Sequence, residues 1–309
     1  MEPQLLFPSK FRYLGSLLAI PGFILGWFTQ TKSYEIPGFS LNIHAPNVIL
    51  TGKAEADKKL LSYGLQPENF TNELALTLVI VGLLFIAFSR LKREDELTSR
   101  IRSHALYWGI LVNYLIYAAL VVFITTADVL NLNVGGGLLG PFSYYFAFLV
   151  YNLFSPLVIF IGIFCFLLFR NKNEFVYKPI KYLPNKPYRI VSKWFSGIFF
   201  VVGVLNGIFE FRQWLQSILF LLPVALFAWA YTREKSEDEF VDVVRMDAMK
   251  IAIYVNYGVL LMSNFLFYGN DFWMVQELNL ITIPVIFIAW FQYKLYRINK
   301  QSEAKPLAS

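Results

Sequence analysis

Apolar positions along this chain gather into blocks rather than alternating with polar ones, and polar stretches separate the blocks. Eight such blocks can be drawn, at residues 11–28, 74–89, 105–124, 142–169, 194–209, 214–231, 251–268 and 272–293. Each is about the length a helix needs to cross a hydrocarbon core of about 30 Å, where only a helix or a closed barrel satisfies its own backbone. The pattern predicts an all-α, polytopic membrane protein with eight transmembrane helices. The second and fifth blocks are short, and the fourth is long enough to tilt or to run past the bilayer. Pro21, Pro156, Pro223 and Pro284 fall inside blocks, where a proline frees a carbonyl and tends to kink the helix.

One stretch occurs twice. Residues 90–114 and 233–257 align without gaps at an offset of 143, with 11 of 25 positions identical. The identities include Glu94-Asp95-Glu96 with Glu237-Asp238-Glu239, Arg102 with Arg245, and Val112-Asn113-Tyr114 with Val255-Asn256-Tyr257. In the fourth block Asn152-Leu153, Ser155, the run Val158 to Ile161 and Arg170 recur in the eighth at an offset of 127, as Asn279-Leu280, Thr282, Val285 to Ile288 and Arg297. Gly15, Gly22 and Gly26 of the first block are echoed by Gly197, Gly203 and Gly207 of the fifth, with one residue deleted. Repeated sequence implies repeated architecture. The expected organisation is a first four-helix unit at 1–175, a basic cytoplasmic linker at 176–190 and a second four-helix unit at 191–309. Four helices is an even number, so the two units share one orientation, as a parallel repeat.

The first unit carries an insertion at about 30–72 that the second lacks. Within it Phe39, Leu41 and Ile43 alternate with Ser40, Asn42 and His44, a strand signal. Residues 54–63 could form a short amphipathic helix, and Asn69-Phe70-Thr71 is a formal glycosylation sequon. A small extracytoplasmic cap is the expected result. The loop between the third and fourth blocks is also longer than its counterpart and contains Gly135-Gly136-Gly137.

Composition agrees with the blocks: 57% of residues are hydrophobic, 31 are Phe, and only 16% are charged. Soluble domains have about 25% charged residues. Charge also orients the chain. With both termini cytoplasmic, 22 of the 27 Lys and Arg fall on the inner side, as the positive-inside tendency requires. No small-residue cleavage site follows the first apolar run, so a retained helix is expected there. Cys165 is the single cysteine, which excludes an intrachain disulfide and a multi-cysteine metal or iron–sulfur site. His44 and His104, the only histidines, are expected on opposite sides of the membrane, which excludes a bis-histidine haem and a His-rich metal site.

Candidate chemistry is therefore confined to a few polar side chains. Asp95, Arg102 and Asn113 fall on one side of a helix, and Asp238, Arg245 and Asn256 repeat the arrangement. One reading is a pair of cytoplasmic polar sites for a partner, an anionic lipid or a solute. The preferred reading is architectural: acidic residues complement a helix N-terminus, the arginine pairs with a carboxylate at the membrane surface, and the asparagine bonds a neighbouring helix. Gly22 with Gly26, and Gly203 with Gly207, suit close helix packing. Glu277, beside Gln276 and Asn279, is an ionisable residue within a span and so a candidate for transport or ligand binding. Seven Lys and Arg in 170–193 suit anionic lipid headgroups or topology determination alone. No cofactor, metal or nucleic-acid site is expected.

The second copy, SEDEFVDVVRMDAMKIAIYVNYGVLLMSNFLFYG followed by NLITIPVIFIAWFQYKLYR, resembles uncharacterised bacterial four-helix integral membrane proteins with a similar ED-E…R…VNY pattern. The first copy keeps Arg102, the acidic triplet and Val112-Asn113-Tyr114 but has no Tyr-Gly after the third block. The resemblance implies a bacterial inner-membrane location and a four-helix fold, and no activity. Three function classes remain: a non-enzymatic sensor, regulator or assembly subunit acting through contacts with a membrane-protein partner or another copy, a small-solute transporter or channel, and a lipid-acting enzyme. The spans hold Asn, Ser and Thr but almost no ionisable group for coupling to an ion gradient, and no nucleophile–base pair, so the first class is preferred.

Overall fold

The computed structural model describes residues 6–44, 65–92, 95–129, 148–170, 181–209, 220–235, 239–267 and 270–303. Its helices are α1 (Phe11–Lys32), α2 (Thr71–Phe88), α3 (Glu96–Val129), α4 (Ser155–Arg170), α5 (Ile190–Phe209), α6 (Leu222–Ala230), α7 (Glu239–Ser263) and α8 (Asn270–Glu303). Among the described residues, five helical segments are long and apolar enough to cross a membrane: Phe11–Lys32, Thr71–Phe88, Glu96–Ile124, Asn185–Leu205 and Phe272–Lys300. The protein is thus helical, with the spans of a multi-pass membrane protein, but five segments meet the criterion where eight crossings were expected. The shortfall has local causes. Helix α4 is 16 residues long, α6 is nine residues long, and the first half of α7 carries Asp242, Arg245, Asp247 and Lys250.

By proximity the chain divides into two compact units, Met1–Arg93 with Leu261–Phe272, and Glu94–Leu260 with Trp273–Ser309. This cut falls elsewhere than the boundary near 176–190 suggested by the repeated sequence.

In the first unit α1 packs along α2 with almost no side chain between them. A Cβ at Gly15 would stand 2.6 Å from the Gly82 carbonyl oxygen, and one at Gly82 would stand 2.5 Å from the Ala19 nitrogen. A Cβ at Gly22 would stand 2.9 Å from Leu78 Cβ and from the Val79 nitrogen, whereas Gly26 makes only an ordinary approach to Ala75. The close seam therefore runs through Gly15, Ala19, Gly22 and Gly82 rather than through Gly22 and Gly26. Small residues of this kind let backbones approach where lipid offers no hydrophobic drive to association. The opposite face of α1 turns Leu17, Ile20, Ile24 and Trp27 outward.

The expected strand is present as β1 (Ser40–His44), paired antiparallel with β2 (Leu65–Asn69) so that Ser40 faces Asn69 and His44 faces Leu65. The proposed helix at 54–63 lies outside the described residues. The sequon asparagine is built into the start of α2: Asn69 Oδ1 accepts from the Thr71 N–H at 3.0 Å, and its Nδ2 donates to the Ile36 carbonyl at 3.2 Å. The Thr71 hydroxyl also bonds Asn69 and accepts from the Ile36 N–H. At the end of α7, Asn264 donates to the Glu73 carbonyl at 2.9 Å and to Thr77 Oγ1 at 3.3 Å.

In the second unit α3 packs against α4, and α5 against α6. The expected fourth span is not one continuous helix: a turn at Leu153 and Phe154 precedes α4, and Pro156 sits in its first turn, where no N–H is needed. Pro284, by contrast, lies inside an unbroken α8. A buried cluster of Tyr117, Val121, Ile124, Leu149 and Leu280 joins α3 to α8. Tyr114 stacks on Phe227 at 4.5 Å and donates its hydroxyl to the Leu280 carbonyl at 2.6 Å.

Among the described residues each unit also holds one short parallel bridge, Phe7 with Ser89 and Leu183 with Thr232. The Phe7 N–H donates to Phe88 O and the Arg90 N–H to Phe7 O, while the Leu183 N–H donates to Tyr231 O and the Arg233 N–H to Leu183 O. Residues 88–90 and 231–233 are 143 apart, and the bridges match Phe7-Pro8-Ser9-Lys10 with Leu183-Pro184-Asn185-Lys186.

Candidate functional site

The polar residues singled out in the sequence separate into a buried set and a surface set. Glu94, Glu237 and Asp238 lie outside the described residues, and Glu239 is placed only as the first residue of α7. Asp95 is exposed and starts α3, with its Oδ1 accepting from the Thr98 N–H at 2.8 Å. Hydrogen bonds from Thr98 hold its carboxyl below the usual range, since they favour the charged form. Glu96 pairs one turn on with Arg100 at 2.7 Å, both exposed. These are helix-start roles: the cap satisfies an otherwise unpaired N–H, and an exposed helical pair is worth about 0.3–0.5 kcal/mol.

Arg102 and Arg245 are each only 2% exposed. Aromatic rings and backbone carbonyls pack around Arg245. Its guanidinium lies between the Tyr182 and Phe291 rings, 4.2 and 4.7 Å from their centroids, and Nη1 donates to the Ala230 and Thr232 carbonyls at 3.2 and 3.1 Å. Those carbonyls close the C-terminal end of α6, where the helix dipole favours a cation. Arg102 lies over the Phe164 ring at 4.8 Å. Phe164 and Phe291 are 127 residues apart, the offset that relates the fourth and eighth blocks.

Asn113 and Asn256 are both 1% exposed and each bonds an asparagine on a neighbouring element. Asn113 Nδ2 donates to Asn152 Oδ1 at 2.7 Å, and Asn256 Nδ2 donates to Asn279 Oδ1 at 2.9 Å. Ser155 Oγ completes the first group by donating to Asn113 Oδ1 at 2.7 Å. Sequence reasoning noted Asn152 and Asn279 as repeated without pairing them to Asn113 and Asn256; their shared recurrence was the available signal. Glu277 is exposed on α8, beside exposed Met274 and Leu278.

A further polar group, not foreseen, gathers around Arg189. Its Nη1 bonds the Glu234 carboxylate, whose other oxygen accepts from Gln292 Nε2 at 3.0 Å, while Asn185 Nδ2 donates to the Arg233 carbonyl at 2.8 Å. Burial raises the Glu234 carboxyl, but the hydrogen bond and charge of Arg189, with help from Gln292 and Arg245, outweigh it and leave the pKa below the usual 4.5. Lys193 stands 5.1 Å over the Trp229 ring. Arg189, Trp229, Thr232, Glu234, Arg245 and Gln292 line a small cleft. The neighbouring aromatic side chains are tied together: the Tyr107 hydroxyl donates to the Lys181 carbonyl and the Tyr231 hydroxyl to the Tyr107 carbonyl, at 2.9 and 3.0 Å.

Among the described residues no group of three or more His, Cys, Asp and Glu side chains converges as a metal site would require. Cys165 is exposed and forms no disulfide. No family model matches the sequence, and neither a curated protein nor a solved structure matches it.

Proposed function

We propose that this is a non-enzymatic inner-membrane protein, a sensor, regulator or assembly subunit that acts through its cytoplasmic loops and its outer cap. The observation that carries this reading is the use made of the repeated polar residues. Asn113 and Asn256 hold neighbouring elements together, and Arg245 seals a helix end between two rings. Such groups fix an architecture, and the charge left for recognition lies at the helix ends, at Asp95, Glu96 and the basic segment 181–193. That basic segment suits anionic lipid headgroups.

The reading includes eight crossings, both termini cytoplasmic, and two tandem parallel four-helix units with an extracytoplasmic insertion at about 30–72. Two matched pairs support it: the two Asn–Asn bonds and the two Arg–Phe stacks recur at positions aligned by the repeat, and two parallel bridges share one aligned side, Ser89 and Thr232. A duplicated architecture predicts such recurrence, whereas unrelated halves would match only by chance.

The test is gentle-detergent purification followed by mass spectrometry of bound proteins and lipids, with E237Q/D238N/E239Q compared with the wild type. A co-purifying partner that the triple variant loses, with solute flux in liposomes at background, is the expected result. Robust flux from the purified protein would replace this reading with that of a small-solute transporter built from two parallel repeats.

A further inference from the structure

The two buried asparagine pairs differ in one respect. Around Asn113 the amide is used at both ends, because Nδ2 donates to Asn152 and Oδ1 accepts from Ser155. Around Asn256 only Nδ2 is used, toward Asn279, and among the described residues nothing donates to its Oδ1. The aligned hydroxyl is present at Thr282 but is turned to the Leu278 carbonyl of its own helix, at 2.6 Å. Helix continuity accounts for the difference. Ser155 opens α4 just after a turn, whereas Thr282 lies inside an unbroken α8 and finds a carbonyl one turn behind it.

A second open acceptor lies on α8, the helix that carries Asn279. Gln276 is 8% exposed and, among the described residues, its Oε1 has no hydrogen-bond donor. It precedes Asn279 by three residues, so the two side chains share a helix face. Buried amide oxygens are rarely left without a donor, least of all in a helix within hydrocarbon, where no bulk water reaches them.

We propose that Asn256 and Gln276 form a binding site for a small neutral hydrogen-bond donor, present in the second copy and closed in the first by Ser155. The shared chemistry is an O–H or N–H donated to amide oxygens, supplied either by a resident water or by a small polyol-like solute. The site requires only that α7 and α8 lie in the bilayer, and it stands whether the protein is a regulator or a transporter.

The experiment is a structure of the full chain in lipid nanodiscs, at a resolution that shows ordered water, determined in glycerol-free buffer and again with glycerol. Density within hydrogen-bond distance of Asn256 Oδ1 or Gln276 Oε1, with none beside Asn113, is expected. Density in both buffers identifies water, and density only with glycerol identifies a solute site. Gln276→Met keeps the volume, removes the oxygen and should abolish the density or displace it onto Asn256 alone. No density in either buffer, equal density beside Asn113, or density unmoved in both Q276M and N256L would overturn the proposal. The wild-type comparison decides the matter even if a variant fails to fold.

Discussion

Arg245 shows how a buried guanidinium is accommodated near a helix end: two aromatic faces and two backbone carbonyls are among its contacts. Lysine cannot reproduce this planar stacking and forked donation. Arg245→Lys is therefore expected to destabilise the protein by about 1–3 kcal/mol, seen as a lower thermal midpoint in detergent. A midpoint unchanged in R245K would mean that the stack contributes little. The asparagine pairs make a sharper test. Asn113→Leu strands Asn152 and Ser155, so each single variant should cost about 1–3 kcal/mol and the double N113L/N152L less than their sum. Additive costs would show that the bond is incidental. Glu234 adds a pH dependence. Its carboxyl has a folded pKa below the usual 4.5, so its contribution is present above that value and fades as pH falls through the folded pKa. E234Q should remove that acid-side slope from a plot of melting temperature against pH. At this scale the sequence showed which polar residues share a helix face, since spacing alone decides it. It did not show what Arg245 touches, because Tyr182 comes from the linker and the acceptors are backbone carbonyls that carry no sequence signature.

Helices were the most legible elements, because uninterrupted apolar runs between charged loops leave few alternatives. The strand at Ser40–His44 was legible for a similar reason, from alternation over six residues. Breaks and seams were less so. Pro156 was expected to kink a span, whereas the chain turns at Leu153 and Phe154 and begins a new helix at Ser155. The glycine pattern pointed to Gly22 and Gly26, but the close approach is set by which glycines face Gly82, and that depends on helix crossing rather than on spacing. The α1–α2 seam yields a prediction of its own. Gly82→Leu places side-chain atoms into the backbone of α1 and should abolish the monodisperse peak in size-exclusion chromatography. Gly197→Ala, where an added Cβ meets nothing within 4 Å, should leave that peak intact. Equal behaviour of the two variants would contradict the seam.

For the whole molecule, the proposed duplication, two copies of one helical plan facing the same way, would account for the paired asparagines and the paired arginine stacks. The duplication was visible in sequence where polar residues recur, and it faded in the apolar stretches, where Leu, Ile, Val and Phe exchange freely without loss of packing. The short match of Phe7-Pro8-Ser9-Lys10 with Leu183-Pro184-Asn185-Lys186 emerges only once the bridges align it. The proposed orientation places residues 95 and 235 on the cytoplasmic side. On a Cys165→Ser background, single cysteines replacing Asp95 and Lys235 should both react with a membrane-impermeant maleimide in inverted inner-membrane vesicles and resist it in right-side-out spheroplasts. Labelling of the two positions from opposite sides of the membrane would contradict the like-facing duplication.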